Sequence, residues 1–154
     1  RYVIQNSSSR PAIMANRVTW IHHSLDHQVM HDAAQVLCGT HDFSSFRALA
    51  CQAKHPNRDL HEIKVSRKGE FIYIDIKANA FLHHMVRNIA GSLMSVGSRA
   101  QSVAWFEEVL QQRDRHLAAE TAPPEGLYLV AVTYPDEFSL PVVPEGPMML
   151  EGQL

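Results

Sequence analysis

Cysteine is scarce in this chain: only Cys38 and Cys51 occur among its 154 residues. They form no Cys-x-x-Cys pair, and isolated cysteines of this kind indicate reduced thiols in a cytoplasmic protein. No run of about eighteen apolar residues occurs, which argues against a membrane-spanning helix. There is no secretory signal segment, and because the chain opens at Arg1 instead of methionine, we expect that a natural N-terminal part has been lost.

Motifs of several enzyme classes are missing as well. The chain has no glycine-rich phosphate loop, and without a Gly-x-Ser-x-Gly turn the position of Asp42 near two serines does not indicate a serine hydrolase. Ten histidines are present, and His23, His27 and His31 recur at intervals of four. Three or four ligands must converge on one zinc ion, however, and these three lie too far apart along the chain. We therefore expect surface histidines and no metal site.

The charges are distributed unevenly, although the net charge is only −2. Residues 1–106 carry twelve Lys/Arg and seven Asp/Glu, a net +5, whereas residues 107–154 carry two Lys/Arg and nine Asp/Glu, a net −7. A basic body can present a positive face while the whole molecule remains acidic. This asymmetry is compatible with an RNA partner and does not by itself establish one.

The hydrophobic content of 45% is sufficient for one globular domain with a core. We expect this domain over residues 1–135 and a proline-rich tail over residues 136–154. Alternation of apolar residues predicts strands and helical spacing predicts helices. The predicted strands are 2–5, 17–21, 60–67, 70–78 and a central strand over 127–134; the predicted helices are 26–37, 81–96 and 102–110, with a loop or single turn over 39–47. The mixture predicts an α+β fold with a mostly antiparallel mixed sheet flanked by helices.

The second predicted helix carries the most information. Its apolar residues recur at helical spacing from Phe81 onward, and the opposite stripe is polar or small: His84, Arg87, Asn88, Gly91 and Ser95. An arginine beside a glycine on a packed helix suits recognition of a phosphate or carboxylate; the alternative is a solvated face with an incidental arginine. Adjacent helical residues point about 100° apart, so His83 and His84 are not expected to face one site.

Two aromatic residues outside the helices are candidates for RNA contact. Phe43 and Phe46, next to Arg47, would stack on bases beside a phosphate. The alternative is that the two rings belong to the core and anchor a loop.

Four segments together resemble one known family. They are RYVI at 1–4, DFSSFR at 42–47, KANAFLHHMVRN at 77–88 and TAPPEGLYL at 121–129. In these motifs and in their order, the chain resembles the C-terminal part of the TruA-type tRNA pseudouridine synthases over nearly its whole length.

The resemblance implies the pseudouridine synthase fold and a cofactor-free enzyme that isomerises uridine to pseudouridine in the anticodon stem-loop of tRNA. It implies a cytoplasmic homodimer with tRNA spanning both subunits. Arg87 matches the basic residue expected to pair with the catalytic aspartate of a Gly-Arg-Thr-Asp motif. That motif is absent here, so we expect it in a missing N-terminal half and expect this chain to be inactive alone. The active-site tyrosine would fall one position before Arg1, which leaves Tyr2 a structural role.

The remaining predicted site residues depend on the same resemblance. Leu127 matches an apolar residue on the cleft floor, or is an ordinary core leucine on a central strand, and His84 and Asn88 are expected to contact the substrate. Five basic residues are candidates for phosphate contacts that position tRNA without reading its sequence: Arg47, Lys54, Arg58, Arg67 and Lys68. The alternative function is a non-catalytic RNA-binding or dimerisation module of the same fold, which would bind tRNA alone in a salt-dependent manner.

Overall fold

The structure, a computed structural model, describes residues 1–141. These residues form the strands β1 (Tyr2–Asn6), β2 (Thr19–Ile21), β3 (Gly39–Asp42), β4 (Asn57–Lys68) and β5 (Phe71–Ala78), and the helices α1 (His27–Ala34), α2 (Met85–Gly97) and α3 (Val103–Gln112). None of the helices within residues 1–141 is both long and apolar enough to cross a membrane. Of the predicted tail, residues 136–141 are described and include a single turn at Asp136–Phe138; residues 142–154 lie outside the described part.

The strands form one mixed sheet in the order β2-β1-β5-β4-β3. β4 and β5 are the predicted antiparallel hairpin, β1 pairs antiparallel with β5, and only β2 runs parallel to its neighbour. The hairpin turn contains Gly69 at a φ of +57°, a conformation that glycine adopts without strain. The predicted α+β class and the mostly antiparallel sheet are confirmed.

The helices and the sheet share one large core. Successive residues of a strand point to opposite faces, and Tyr2 and Ile4 accordingly join the cluster that contains Met30 of α1 and Ile89 of α2. Val3 points to the other face, where it meets a small cluster formed by Val18, Phe71 and neighbouring side chains. The helices therefore cover one face of the sheet.

Two of the helix beginnings follow from their capping residues. The Asp26 carboxylate accepts the backbone N–H groups of Gln28 and Val29, both at 3.2 Å, and the Ser102 hydroxyl accepts that of Trp105 at 3.0 Å. These side chains satisfy amide groups that have no partner inside the helix. The predicted cap at Ser102 is confirmed.

Two predicted segments are wrong. Residues 39–42 form the edge strand β3 because β4 begins at Asn57, earlier than predicted, and offers them a pairing edge.

Residues 127–134 do not form a central strand; the segment makes one bridge, Leu127 to Tyr2, and no strand follows. β5 occupies one side of β1 and β2 occupies the other from Ile4 onward. The segment can therefore pair only at the short open end of β1.

Tyr2 holds the segment before Leu127 against the sheet. Its ring is fully buried, and its hydroxyl is bonded to Thr19 Oγ1 and donates to the Pro123 carbonyl at 2.7 Å. Burial raises the pKa of Tyr2 to about 12, although the nearby Arg87 charge acts in the opposite direction. The structural role expected for Tyr2 agrees with these contacts.

Replacing Tyr2 with phenylalanine should therefore destabilise the chain by about 1–2 kcal/mol, because the buried Thr19 hydroxyl and the Pro123 carbonyl each lose a hydrogen bond. Urea unfolding measures this difference. Tyr73→Phe is the matched control on the adjacent strand, since no hydrogen bond of its hydroxyl is found within residues 1–141; we expect a change below about 0.5 kcal/mol. Equal losses in the two variants would contradict the anchoring role of the Tyr2 hydroxyl.

Candidate functional site

Arg87 lies in the first turn of α2 and is half-buried. Its Nε–H donates to the Ala122 carbonyl at 2.7 Å, and the Ala122 N–H donates back to the Arg87 carbonyl at 3.2 Å. Within residues 1–141, neither Nη group has a hydrogen-bond partner. The guanidinium is thus anchored through one nitrogen, and its two terminal nitrogens can bind a carboxylate in a bidentate pair.

The helix that carries Arg87 begins at Met85, four residues later than predicted. His84 precedes it at a φ of 59°, a left-handed conformation that interrupts any helix from Phe81. The preceding segment is bound to another loop, because the Ala48 N–H donates to the His83 carbonyl at 3.1 Å. Arg87 therefore lies in the first turn of α2, just after a segment that is fixed to a neighbouring loop by this hydrogen bond.

His83 and His84 face the same site, contrary to the prediction from sequence. Their rings stack with centroids 3.9 Å apart and planes inclined by 30°. The prediction was wrong because it assumed helical geometry for two residues that precede the helix. Partial burial lowers the pKa of the His84 imidazole, and the charges of His83 and Arg87 lower it further.

The two histidines line an open cavity of about 540 Å³. Its other walls come from the loop at residues 48–50 and from the segment 115–121, including Arg115 and Thr121. Among the described residues no group of three His, Cys, Asp or Glu side chains could hold a metal ion. The polar residues that line the cavity are three histidines, Arg115, Glu120 and Thr121.

Asn88 is fully buried, and the prediction that it contacts the substrate is corrected. Its Nδ2 donates to the Phe46 carbonyl at 2.8 Å, while its Oδ1 accepts from Thr121 Oγ1 at 2.7 Å and from Arg115 Nη2 at 3.2 Å. A side chain with all of these partners and no exposed surface is a structural link between α2 and the segment 115–122.

Sequence reasoning missed the roles of Arg115 and Thr121. Both are polar residues in a segment without apolar periodicity, so their attachment to α2 was not visible in any local pattern. The only available signal was that Thr121 opens the motif TAPPEGLYL, which supported the resemblance.

Phe43 and Phe46 are both fully buried. The Phe46 ring lies 5.7 Å from the Phe106 ring of α3, measured between centroids, and 6.4 Å from that of Phe43. Rings without exposed surface cannot stack on a base, so the base-stacking prediction is corrected in favour of its alternative, core aromatics that anchor a loop.

Leu127 lies at the open end of β1 and is 40% exposed. Its N–H donates to the Pro124 carbonyl at 3.1 Å. The alternative of a core leucine on a central strand is wrong, because there is no such strand and the side chain is only partly covered. Its predicted contact with a substrate stays a prediction.

The predicted phosphate-contacting residues differ in availability. The guanidinium of Arg47 donates to two carbonyls, and that of Arg58 donates to the carbonyls of His55 and Asn57. Arg67 donates to Asn6 Oδ1 and to the Leu25 carbonyl. Lys54 and Lys68 are exposed. The structure does not bring these two lysines together, because Lys54 precedes β4 and Lys68 ends it, and this 12-residue strand is roughly 35 Å long.

Comparison with known proteins identifies the family of the chain. Residues 33–135 match the family model described as tRNA pseudouridine synthase. The tRNA pseudouridine synthase A of Actinobacillus succinogenes is 54% identical over 154 residues, which is all of this chain and 58% of the relative. That of Photobacterium profundum is 55% identical over 150 residues, 97% of this chain and 58% of the relative. The chain thus spans somewhat more than half the length of these curated relatives. With a family match over most of its residues, the chain belongs to the tRNA pseudouridine synthase family.

Proposed function

We propose that this chain is the C-terminal part of an enzyme that isomerises uridine to pseudouridine in the anticodon stem-loop of tRNA. In the proposed enzyme, Arg87 pairs with a catalytic aspartate contributed by the part of the protein outside this chain. The observation that carries the proposal is the anchored Arg87 side chain, with Nε bonded to Ala122 and both Nη groups unbonded within residues 1–141.

The proposed pair has a clear electrostatic purpose. A guanidinium stays charged at all relevant pH values, and a positive charge in contact with a carboxylate lowers the carboxylate pKa. The aspartate would therefore remain ionised even when a flipped base covers it. Anchoring through Nε also limits rotation of the guanidinium, so the two Nη groups present a fixed, planar surface to the carboxylate.

The reaction is an isomerisation without net oxidation, and it requires the carboxylate to be held at the flipped uridine. The target uridine leaves the base stack, its N1–C1′ bond breaks, and a bond forms between C5 and C1′. The proton on C5 is lost and N1 gains one, so substrate and product are isomers. We propose that the ionised aspartate acts at the ribose C1′ or at the base. We also propose that His84 and Leu127, both partly exposed, contact the flipped nucleotide.

The proposed RNA partner is the tRNA stem-loop, with Lys54 and Lys68 among its phosphate contacts. Their separation along β4 suits an extended ligand, because one phosphate could not contact both. We propose in addition that the complete enzyme is a cytoplasmic homodimer, as the family resemblance implies.

Split complementation tests the proposed function. The chain is assayed alone and after mixing with a separately produced polypeptide that comprises the rest of the Actinobacillus succinogenes relative. Tritium release from anticodon stem-loops labelled at uridine C5 reports loss of the C5 proton. We expect no release with the chain alone and release from the mixture. A mixture whose added polypeptide lacks the catalytic aspartate is the control and should stay inactive.

Two other outcomes contradict the proposal. Release by the chain alone would mean that its own residues contain the catalytic carboxylate. If the two polypeptides associate and tritium is still retained, the alternative of a non-catalytic RNA-binding or dimerisation module becomes the better explanation. Salt-dependent binding of the stem-loop by the chain alone would then support that alternative.

A further inference from the structure

The segment 118–122 has no regular secondary structure, yet it follows one face of α2 closely. The Ala119 N–H donates to Ser92 Oγ at 3.3 Å, and Ala122 exchanges hydrogen bonds with the backbone and side chain of Arg87. Between these contacts the helix presents Gly91, where a Cβ would lie only 2.0 Å from the Glu120 carbonyl oxygen. The segment therefore lies against bare helix backbone and depends on specific hydrogen bonds for its position.

A polar triangle of the buried Asn88 and the half-buried Arg115 and Thr121 supplies most of the hydrogen bonds that hold this segment. Asn88 Oδ1 accepts from Thr121 Oγ1 at 2.7 Å and from Arg115 Nη2 at 3.2 Å, and the same Nη2 lies 3.1 Å from Thr121 Oγ1. Arg115 Nη1 also donates to the Ala118 carbonyl at 3.3 Å. Since Asn88 is fully buried and its Nδ2 is bonded to the Phe46 carbonyl, its amide cannot rotate without leaving a buried polar group unpaired.

The triangle acts on Arg87 through one peptide unit. Asn88 follows Arg87 on the helix, and Thr121 precedes Ala122, whose carbonyl is the hydrogen-bond partner of Arg87 Nε. A shift of Thr121 therefore moves the acceptor that orients the guanidinium. We infer that Asn88, Arg115 and Thr121 are positioning residues, which orient Arg87 by holding the Ala122 carbonyl against α2. The inference rests on the proposed function for its catalytic consequence and on the contacts above for its structural one.

Thr121→Val is the test variant, because valine keeps the shape of threonine and removes only the hydroxyl. The first readout is hydrogen exchange of the Arg87 Nε–H, followed by NMR in this chain. We expect exchange about tenfold or more faster than in the unsubstituted chain and recovery in Thr121→Ser, which restores the hydroxyl. Ser95→Ala is the control. It removes a hydroxyl from α2, the helix that carries Arg87, and this hydroxyl bonds only to the Gly91 carbonyl. Exchange of the Arg87 Nε–H should not change.

The second readout is turnover in the complete enzyme, in which this chain is joined to the remainder of a relative. Misplacement of a catalytic group by about 1 Å can reduce the rate roughly a hundredfold. We expect Thr121→Val to lower kcat by roughly 10- to 100-fold with little change in KM for tRNA, and Thr121→Ser to restore it to within about threefold.

The outcomes separate the inference from the proposed function. Unchanged Arg87 exchange in Thr121→Val would overturn the inference, and so would faster exchange with a normal kcat. If the unsubstituted complete enzyme forms no pseudouridine, the proposed function fails, and the exchange measurement alone decides whether the triangle orients Arg87. The inference would also be overturned if Thr121→Val lowered the global stability of the chain without a selective effect on exchange of the Arg87 Nε–H.

Discussion

Arg87→Ala should remove most pseudouridine formation by the complete enzyme while leaving its tRNA affinity nearly unchanged. Loss of one preorganised electrostatic partner at a reacting centre typically lowers kcat by about 10²- to 10³-fold, and we expect a fall in kcat of that size. Affinity should change less than about threefold, because phosphate contacts elsewhere supply most of the binding. Single-turnover tritium release gives the rate, and filter binding gives the affinity.

Arg87→Lys is the informative companion to this variant. Lysine keeps the charge but has a single nitrogen, which cannot bond the Ala122 carbonyl and a carboxylate in the fork geometry of a guanidinium. We expect it to recover only a small part of the activity. Arg99→Ala controls for the loss of a positive charge, because Arg99 is exposed beyond the end of α2 and its side chain is 80% accessible. Normal turnover in Arg87→Ala would disprove the proposed pairing.

Gly91→Ala should have the largest effect on stability. Its Cβ would lie 2.0 Å from the Glu120 carbonyl oxygen and 3.3 Å from the Ala122 nitrogen, both backbone atoms that cannot rotate away. The segment 119–122 would have to leave α2, with loss of the hydrogen bonds to Ser92 and Arg87. Overpacking of this kind costs about 3 kcal/mol or more, and the gain in helix propensity of about 1 kcal/mol does not offset it. Urea unfolding of the chain measures the difference.

Gly97→Ala provides a matched control at the end of the same helix. There the new Cβ would lie 2.6 Å from Met30 Sδ and 2.7 Å from Met30 Cγ, atoms of a buried side chain and not of the backbone. Methionine can change rotamer more readily than a backbone segment can move, so we expect a smaller loss, of about 1–2 kcal/mol. If the two glycine variants lose equal stability, the close approach of the segment to Gly91 is not the cause of the effect.

Local sequence patterns were sufficient for most of the secondary structure. The alternation in 70–78 and the cap at Ser102 are properties of residues near each other in the chain, and the corresponding elements formed as predicted. The failures occurred where a partner distant in sequence decides the conformation. Residues 39–42 became a strand because β4 lies beside them, and 127–134 did not because both sides of β1 are largely occupied.

In the candidate site, too, local motifs were sufficient for some features, while others depended on residues distant in the chain. The family and the role proposed for Arg87 came from motifs that can be recognised without any structure. Its anchor did not, because Ala122 is 35 positions away in the chain. Asn88 was assigned to a polar stripe that should face a cleft, yet it is fully buried and bonded to Thr121, 33 positions away.

By itself, therefore, the sequence determined the family, the α+β class, and most strands and helices, and it singled out the arginine that we propose for the site. Only the tertiary structure decided which polar residues of α2 are available and which are already paired, that the rings of Phe43 and Phe46 lie in the core, and that His83 and His84 stack. Periodicity and motifs describe the order of residues along one segment. Burial and hydrogen bonding depend on the segments that pack against it, and those meet only in the folded chain.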